Sequence, residues 1–329
     1  MSTRNRLRRA GRRGQRLAKA LYRKGVKLGS ALSGDRHAQY ALLKYLKIPA
    51  VTVDAGGNRF FIRTADNYVG RHLFIYGVWE RFETALIGHL LQPGATMIDV
   101  GANIGYYAVL ASRRVGATGT VFAFEPGAEN FALLENNLRL NDCSNVVAER
   151  LALADENGRG KLFLSVSNPG DHRLHPAASF GDAGYDGEPV RAAESVRLMR
   201  LDDYLAQRGA ARVDVMKVDV QGAEMAVLRG AERTLRQNPG LFLLLEFWPY
   251  GLRQFGAQPG DLLAYLQEEM GFSVREIDPQ RQELRPLDWE WVEARRGEAD
   301  PADQKDLIFF RPHLLPLLER LSLPGDNGR

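Results

Sequence analysis

The chain has 329 residues, 45% of them hydrophobic, with a formal net charge of +4 and one cysteine, Cys143. That is enough apolar material for a full core in one or two domains. A lone cysteine excludes an internal disulfide framework, and no apolar run approaches the roughly 20 residues that span a bilayer. The charge is segregated: eleven Lys and Arg residues precede the first acid, Asp35, and without them the remainder carries a net charge of −7. An acidic body is not a basic nucleic-acid cradle.

Residues 1–34 form this basic arm, in which Leu7, Ala10, Leu17, Leu21 and Leu28 fall at helical spacings interrupted by Gly11, Gly14 and Gly25. It reads as a solubilising tail, as an anchor for an anionic lipid surface, or as a tether to RNA or an acidic partner. A cytoplasmic protein is the expectation, with the inner membrane face as its location under the anchor reading. Residues 35–93 form a lead-in of helix and short strands. Within it Gly56-Gly57-Asn58 signals a hairpin, and Trp79 and Glu80 precede a helix that runs to Leu91.

From Gly94 strands and helices alternate: strand 97–100, helix 104–114, strand 120–125, helix 128–140 and strand 146–153. Strand-like pieces at 161–166 and 190–200 bracket a loop rich in Gly, Pro and His. Helix 202–208, strand 213–220, helix 222–237, strand 241–247, helix 259–270 and strands 272–278 and 305–311 follow. This alternation predicts an α/β fold with a doubly wound, mostly parallel, seven-stranded Rossmann-like sheet and an antiparallel edge hairpin. The domain extends over 94–313, with a tail at 314–329.

The most informative stretch is Asp99-Val100-Gly101-Ala102-Asn103-Ile104-Gly105. A buried strand ends in an acid and a glycine and passes at once into a helix, the arrangement that presents a nucleotide-like ligand at the carboxyl edge of such a sheet. The glycines lack the G-x-G-x-x-G order of a dinucleotide site, and an acid in the turn repels a pyrophosphate. A sulfonium cofactor with an α-amino group tolerates Asp99, so S-adenosylmethionine is the better ligand. Glu125, before Pro126 at the next strand end, is placed to accept from ribose hydroxyls. Asp99, Gly101, Asn103, Gly105, Glu125 and Pro126 are therefore cofactor candidates, with Ala152 edging the adenine and Asp219 ending the central strand. Taken singly, either acid also fits a solvated turn.

The blocks DVGANIGYYAVLAS, FAFEPGAENFALLENN, NVVAERLALAD, MKVDVQGAEMAVLRGAE and FLLLEFWP, between Asn58 and Arg311, resemble in order the FkbM-type S-adenosylmethionine-dependent methyltransferases. That resemblance implies O-methyl transfer to a hydroxyl of a carbohydrate, glycolipid or polyketide-like small molecule. It also implies a lead-in folded over the cofactor pocket, where Trp79 and Glu80 line it or Trp79 is a core aromatic. The Asp171-His172-Arg173 block is similar to one in the family, which makes His172 the candidate base or substrate contact; His175 is peripheral.

Asp219 and Glu246, at successive strand ends, complete the catalytic candidates. The two offer oxygen ligands for a hard cation but no third, so no metal is expected. Competing readings are a nucleic-acid methyltransferase tethered by the arm and a noncatalytic scaffold of the same fold. Against the first, no Asn/Asp-Pro-Pro-Tyr/Phe motif follows the central strand.

Overall fold

The computed structural model describes residues 34–165, 168, 170–174, 192–295 and 299–321. Nearly all of the basic arm, His175 and the end of the tail lie outside them. The chain divides into two compact units, residues 1–79 and 80–329. The helix ahead of Gly94 thus belongs to the larger unit, although its sequence had grouped it with the lead-in.

The first unit contains α1 (Arg36–Tyr45), β1 (Ala50–Ala55), β2 (Asn58–Arg63) and α2 (Val69–Tyr76). Asp35 caps α1 by accepting from the Ala38 N–H at 3.1 Å. The expected hairpin forms, with β1 and β2 antiparallel and positive φ at Gly56 and Gly57, where a tight turn needs residues without a Cβ penalty. The Trp79 ring meets His72 edge-on at 5.2 Å.

The second unit runs α3 (Arg81–Leu90), β3 (Thr96–Val100), α4 (Tyr106–Val115), β4 (Thr120–Phe124), α5 (Ala128–Leu140), β5 (Val146–Glu149), β6 (Ala152–Leu153), β7 (Gly158–Phe163) and β8 (Ala193–Met199). It continues with α6 (Leu201–Arg208), β9 (Val215–Val218), α7 (Glu224–Gly230), α8 (Glu232–Gln237), β10 (Phe242–Phe247), α9 (Pro249–Gln254) and α10 (Pro259–Ala264). It ends with β11 (Ser273–Asp278), β12 (Glu283–Arg285), α11 (Trp289–Ala294), β13 (Lys305–Phe310) and α12 (Leu315–Glu319). Among the described residues no helix is long and apolar enough to cross a membrane.

The main sheet has the order β12-β11-β13-β10-β9-β3-β4-β5. Strands β10, β9, β3, β4 and β5 are parallel, and β13, β11 and β12 pair antiparallel at one edge. The sheet thus has eight described strands where seven were expected, because Glu283–Arg285 is too short and too polar to read as a strand. The continuous apolar runs of β9 and β10 are explained by burial on both faces: Met216, Val218, Leu243, Leu245 and Phe247 are all buried in the main core. The chain leaves β3 toward β4 and β5 and returns through β9 to the other side. The topological switch point therefore lies between β3 and β9, where such sheets bind ligands.

One predicted strand is two. The run 146–153 breaks after Glu149, and Ala152 and Leu153 pair instead with Leu198 and Met199 of β8, in a separate sheet of order β6-β8-β7. Ala152 packs there with Leu162 and Val196. Ala152 and Leu153 therefore belong to that ladder and not to the main sheet. The strand beside β4 ends at Glu149.

Candidate active site

Three strand ends build the site. Hydrogen bonds from the Gly101 and Ala102 N–H groups to the Phe124 carbonyl, both 3.0 Å, tie the turn after β3 to β4. The Asp219 N–H, donating to the Val100 carbonyl at 3.0 Å, ties β9 to β3. Gly101 has φ +84°, and a Cβ there would lie 1.9 Å from the Asp219 carbonyl oxygen. Its glycine is required by the approach of two strand ends. Gly105, also at φ +84°, would drive a Cβ to 2.5 Å from Leu134 Cδ1, so it serves packing of the turn against α5.

On the β4 side, Glu125 braces the glycine turn. One oxygen accepts from the Asn103 N–H at 2.9 Å and the other from the Gly127 N–H at 2.8 Å. Asn103 holds a left-handed φ of +51°, which aims its N–H at Glu125. The Asn130 side chain also hydrogen-bonds this carboxylate; with about four lone-pair sites in all, Glu125 retains acceptor capacity for one more hydroxyl, while half-buried Pro126 follows it. Burial pushes its carboxyl up to about 7. Asp99 is buried beneath the turn with one oxygen lacking a hydrogen-bond partner, and burial raises it to about 6. An orphaned acid under a glycine turn, next to a braced carboxylate, fits the ammonium and ribose of S-adenosylmethionine. Asp99, Asn103 and Glu125 would hold that cofactor.

On the β9 side stands a group the sequence reading passed over. Lys217 lies two residues before Asp219, on the same face of the strand, with its Nζ 2.8 Å from Asp219 Oδ2 and only 12% of its side chain exposed. The ammonium also sits 5.0 Å from the Tyr107 ring centre, and Tyr107 donates its hydroxyl to Glu80 at 2.6 Å. Burial opposes the charge on Asp219, but Lys217 and the hydrogen bonds it receives outweigh burial and hold the carboxyl below its usual value. Gln221, at a left-handed φ of +56°, donates its amide to Asp219 at 3.0 Å and to Glu246 at 2.6 Å. Burial and then the Asp219 charge push Glu246 well above the carboxylate range. Ionisation is thus favoured at Asp219 and disfavoured at Glu246. The signal for Lys217 was a lysine inside an otherwise apolar central strand.

His172 stands elsewhere. A Cβ on Gly127 would meet the His172 ring at 3.0 Å and Glu125 at 2.9 Å, so this histidine covers the end of β4. That end is two strands from Asp219 in the sheet order, about 10 Å at ordinary strand spacing. Its Nδ1 accepts the Ser165 N–H at 3.1 Å, so the neutral ring carries its proton on Nε2. The Nδ1 lone pair is then already engaged by the Ser165 N–H. Both Asp171 oxygens accept from Arg173, at 2.5 and 2.9 Å, and the Arg173 guanidinium lies 4.7 Å over the Trp248 ring. This segment therefore spans from the β4 end to the residue after β10.

Glu224 opens α7. It is fully buried, and one oxygen accepts from the Gly222 N–H at 3.0 Å, closing the turn after β9. Burial lifts its carboxyl from 4.5 to about 7. The folded protein therefore keeps a proton that the unfolded chain releases. The resulting stability is full below about pH 4.5 and is lost as pH rises through about 7. Glu224→Gln keeps the acceptor and removes the charge. It should stabilise the protein by on the order of 2 kcal/mol at pH 8 and hardly at all at pH 4.5. Urea unfolding at both pH values checks this; equal effects at the two would show that burial of charge is not the cause.

A family model for the Methyltransferase FkbM domain matches residues 99–274. The chain is 30% identical over 232 residues to "Methyltransferase sdnD" of Sordaria araneosa, covering 63% of this chain and 84% of that protein. It is also 30% identical over 161 residues to "31-O-demethyl-FK506 methyltransferase FkbM" of Streptomyces tacrolimicus, covering 43% of this chain and 61% of that one. Identity to "2-O-methyltransferase NoeI" of Sinorhizobium fredii is 27% over 167 residues, covering 46% of this chain and 64% of that one. The match therefore spans less than two thirds of each of the last two proteins. With the glycine turn, the braced Glu125 and the Lys217–Asp219 pair in place on this sheet, the chain belongs to the FkbM family of S-adenosylmethionine-dependent methyltransferases.

Proposed function

We propose that the protein transfers a methyl group to a hydroxyl oxygen of a small acceptor, a carbohydrate, glycolipid or polyketide-like molecule. The observation that carries this reading is Asp219, a carboxylate kept ionised by Lys217 at the strand end beside the glycine turn. S-adenosylmethionine supplies an activated methyl when bound. The protein has to orient the acceptor oxygen, exclude water and take up the hydroxyl proton. An alcohol hydroxyl becomes acidic only as its oxygen gains the methyl, so a carboxylate of low basicity suffices as proton acceptor. Asp219 Oδ takes that proton. Gln221 and Glu246 fix its orientation, and His172 covers the ribose side. The names of two relatives, a 31-O-demethyl-FK506 methyltransferase and a 2-O-methyltransferase, support oxygen as the accepting atom.

Calorimetry should show binding of S-adenosylmethionine and S-adenosylhomocysteine and none of NAD. Incubation of tritiated-methyl cofactor with fractionated extract should place label in glycan, lipid or small-molecule pools, in a bond stable to base as an ether is. Tighter binding of NAD than of S-adenosylhomocysteine, or label confined to RNA, would end this reading.

A further inference from the structure

The cofactor-facing groups lie over β3 and β4. The other half of the same edge, over β9, β10 and β13, carries a different chemistry. Asp219 and Glu246 end β9 and β10, and Asp306 is paired in register with Glu246 across β10 and β13. Glu80 and Glu83, at the start of α3, interact electrostatically with Asp306 and Lys217. Five carboxyls thus surround one ammonium, and Lys217 is already engaged by Asp219.

Glu83 supplies the independent observation. Its residue is 3% exposed, and its Oε2 has no hydrogen-bond partner. A buried acid without a partner is expensive, and an amide or an apolar side chain would serve the fold better. Burial and the neighbouring Glu80 push Glu83 up to about 7, while burial and then Glu80 and Glu83 push Asp306 well above the usual range. Burial and mutual repulsion thus disfavour the charged forms of Glu83, Glu246 and Asp306. A cation placed among them favours those forms and is bound by them, whereas an anion meets repulsion.

We propose that this half of the cleft binds an acceptor carrying a cationic amine near the methylated hydroxyl, as in an amino sugar or amino alcohol, and discriminates against carboxylate- and phosphate-bearing acceptors. The assignment rests on the methyltransferase reading above, since it takes β3 and β4 as the cofactor half.

The test uses the full chain saturated with S-adenosylhomocysteine, whose own affinity is measured first. Glucosamine, glucose and glucuronate, which share a ring and differ in charge, are then titrated by calorimetry. Glucosamine should bind about tenfold or more tighter than glucose, with glucuronate weakest. Glu83→Gln and Asp306→Asn, separately and together, should bring glucosamine to the level of glucose, with unchanged circular dichroism showing that each variant is folded. Equal or tighter binding of glucose or glucuronate overturns the proposal. So does absence of glucosamine binding while S-adenosylhomocysteine binds. Failure of S-adenosylhomocysteine itself to bind removes the methyltransferase reading, and this inference with it.

Discussion

Asp219→Asn should lower kcat by roughly 10²–10⁴-fold, the range for loss of a positioned proton acceptor. The amide keeps the shape and its contact with Gln221, so cofactor affinity should change little. Lys217→Met tests the same assignment from the other side. With the ammonium 2.8 Å from Asp219 removed, burial is no longer outweighed and the Asp219 carboxyl rises. Activity that needs the ionised form should then fall away at a higher pH, so the acidic limb of the rate profile moves up. His172→Ala should behave differently, raising the KM for cofactor with a smaller effect on kcat, because its ring covers Gly127 and Glu125 rather than the β9 end. Full kcat in Asp219→Asn, together with loss of kcat in His172→Ala, would return the proton to the histidine.

Gly101→Ala should be the most damaging single methyl in the domain. The new Cβ would fall 1.9 Å from a backbone carbonyl oxygen, and the residue holds φ +84°, which an L side chain adopts at a cost of about 1–2 kcal/mol. Overpacking adds about 1–3 kcal/mol, and the obstructing atom is backbone at the end of β9, not a mobile side chain. The sum of roughly 3 kcal/mol should lower Tm by about 6–12 °C in a unit of this size and displace Asp219 from its register. Gly105→Ala is the control. Its Cβ would press on Leu134 Cδ1, the far end of a flexible side chain, so the loss from crowding should be smaller. Differential scanning calorimetry on both variants distinguishes them; similar Tm values would mean that the β3–β9 approach is not what the glycine protects.

How much of this was legible beforehand follows from the range of each interaction. Asp99, the glycine turn and Glu125 announce themselves because a strand end, a turn and a helix start are contiguous in the chain, and positive φ at Gly101 and Gly105 is a local demand. The apolar runs of β9 and β10 were readable for a similar reason: burial on both faces leaves no alternation. The division of 146–153 was hidden, because nothing local says that Ala152 will pair with Leu198, forty-six positions away, in another sheet. Lys217 was visible as a residue but not as a role. Its partner Asp219 is two positions on, yet the groups that make the pair consequential, Tyr107, Glu80 and Glu246, come from three other elements.

The sequence by itself determined the fold class, the family and the glycine turn flanked by acids at the ends of β3 and β4, since those depend on short-range patterns of hydrophobicity, glycine and acid at strand ends. Only the tertiary structure decided which acid pairs with Lys217, which nitrogen of His172 meets the Ser165 N–H, and that Glu83 Oε2 is left unpartnered. Proton location is set by burial and by charges within a few ångströms, and those neighbours are brought together by sheet order rather than by chain order.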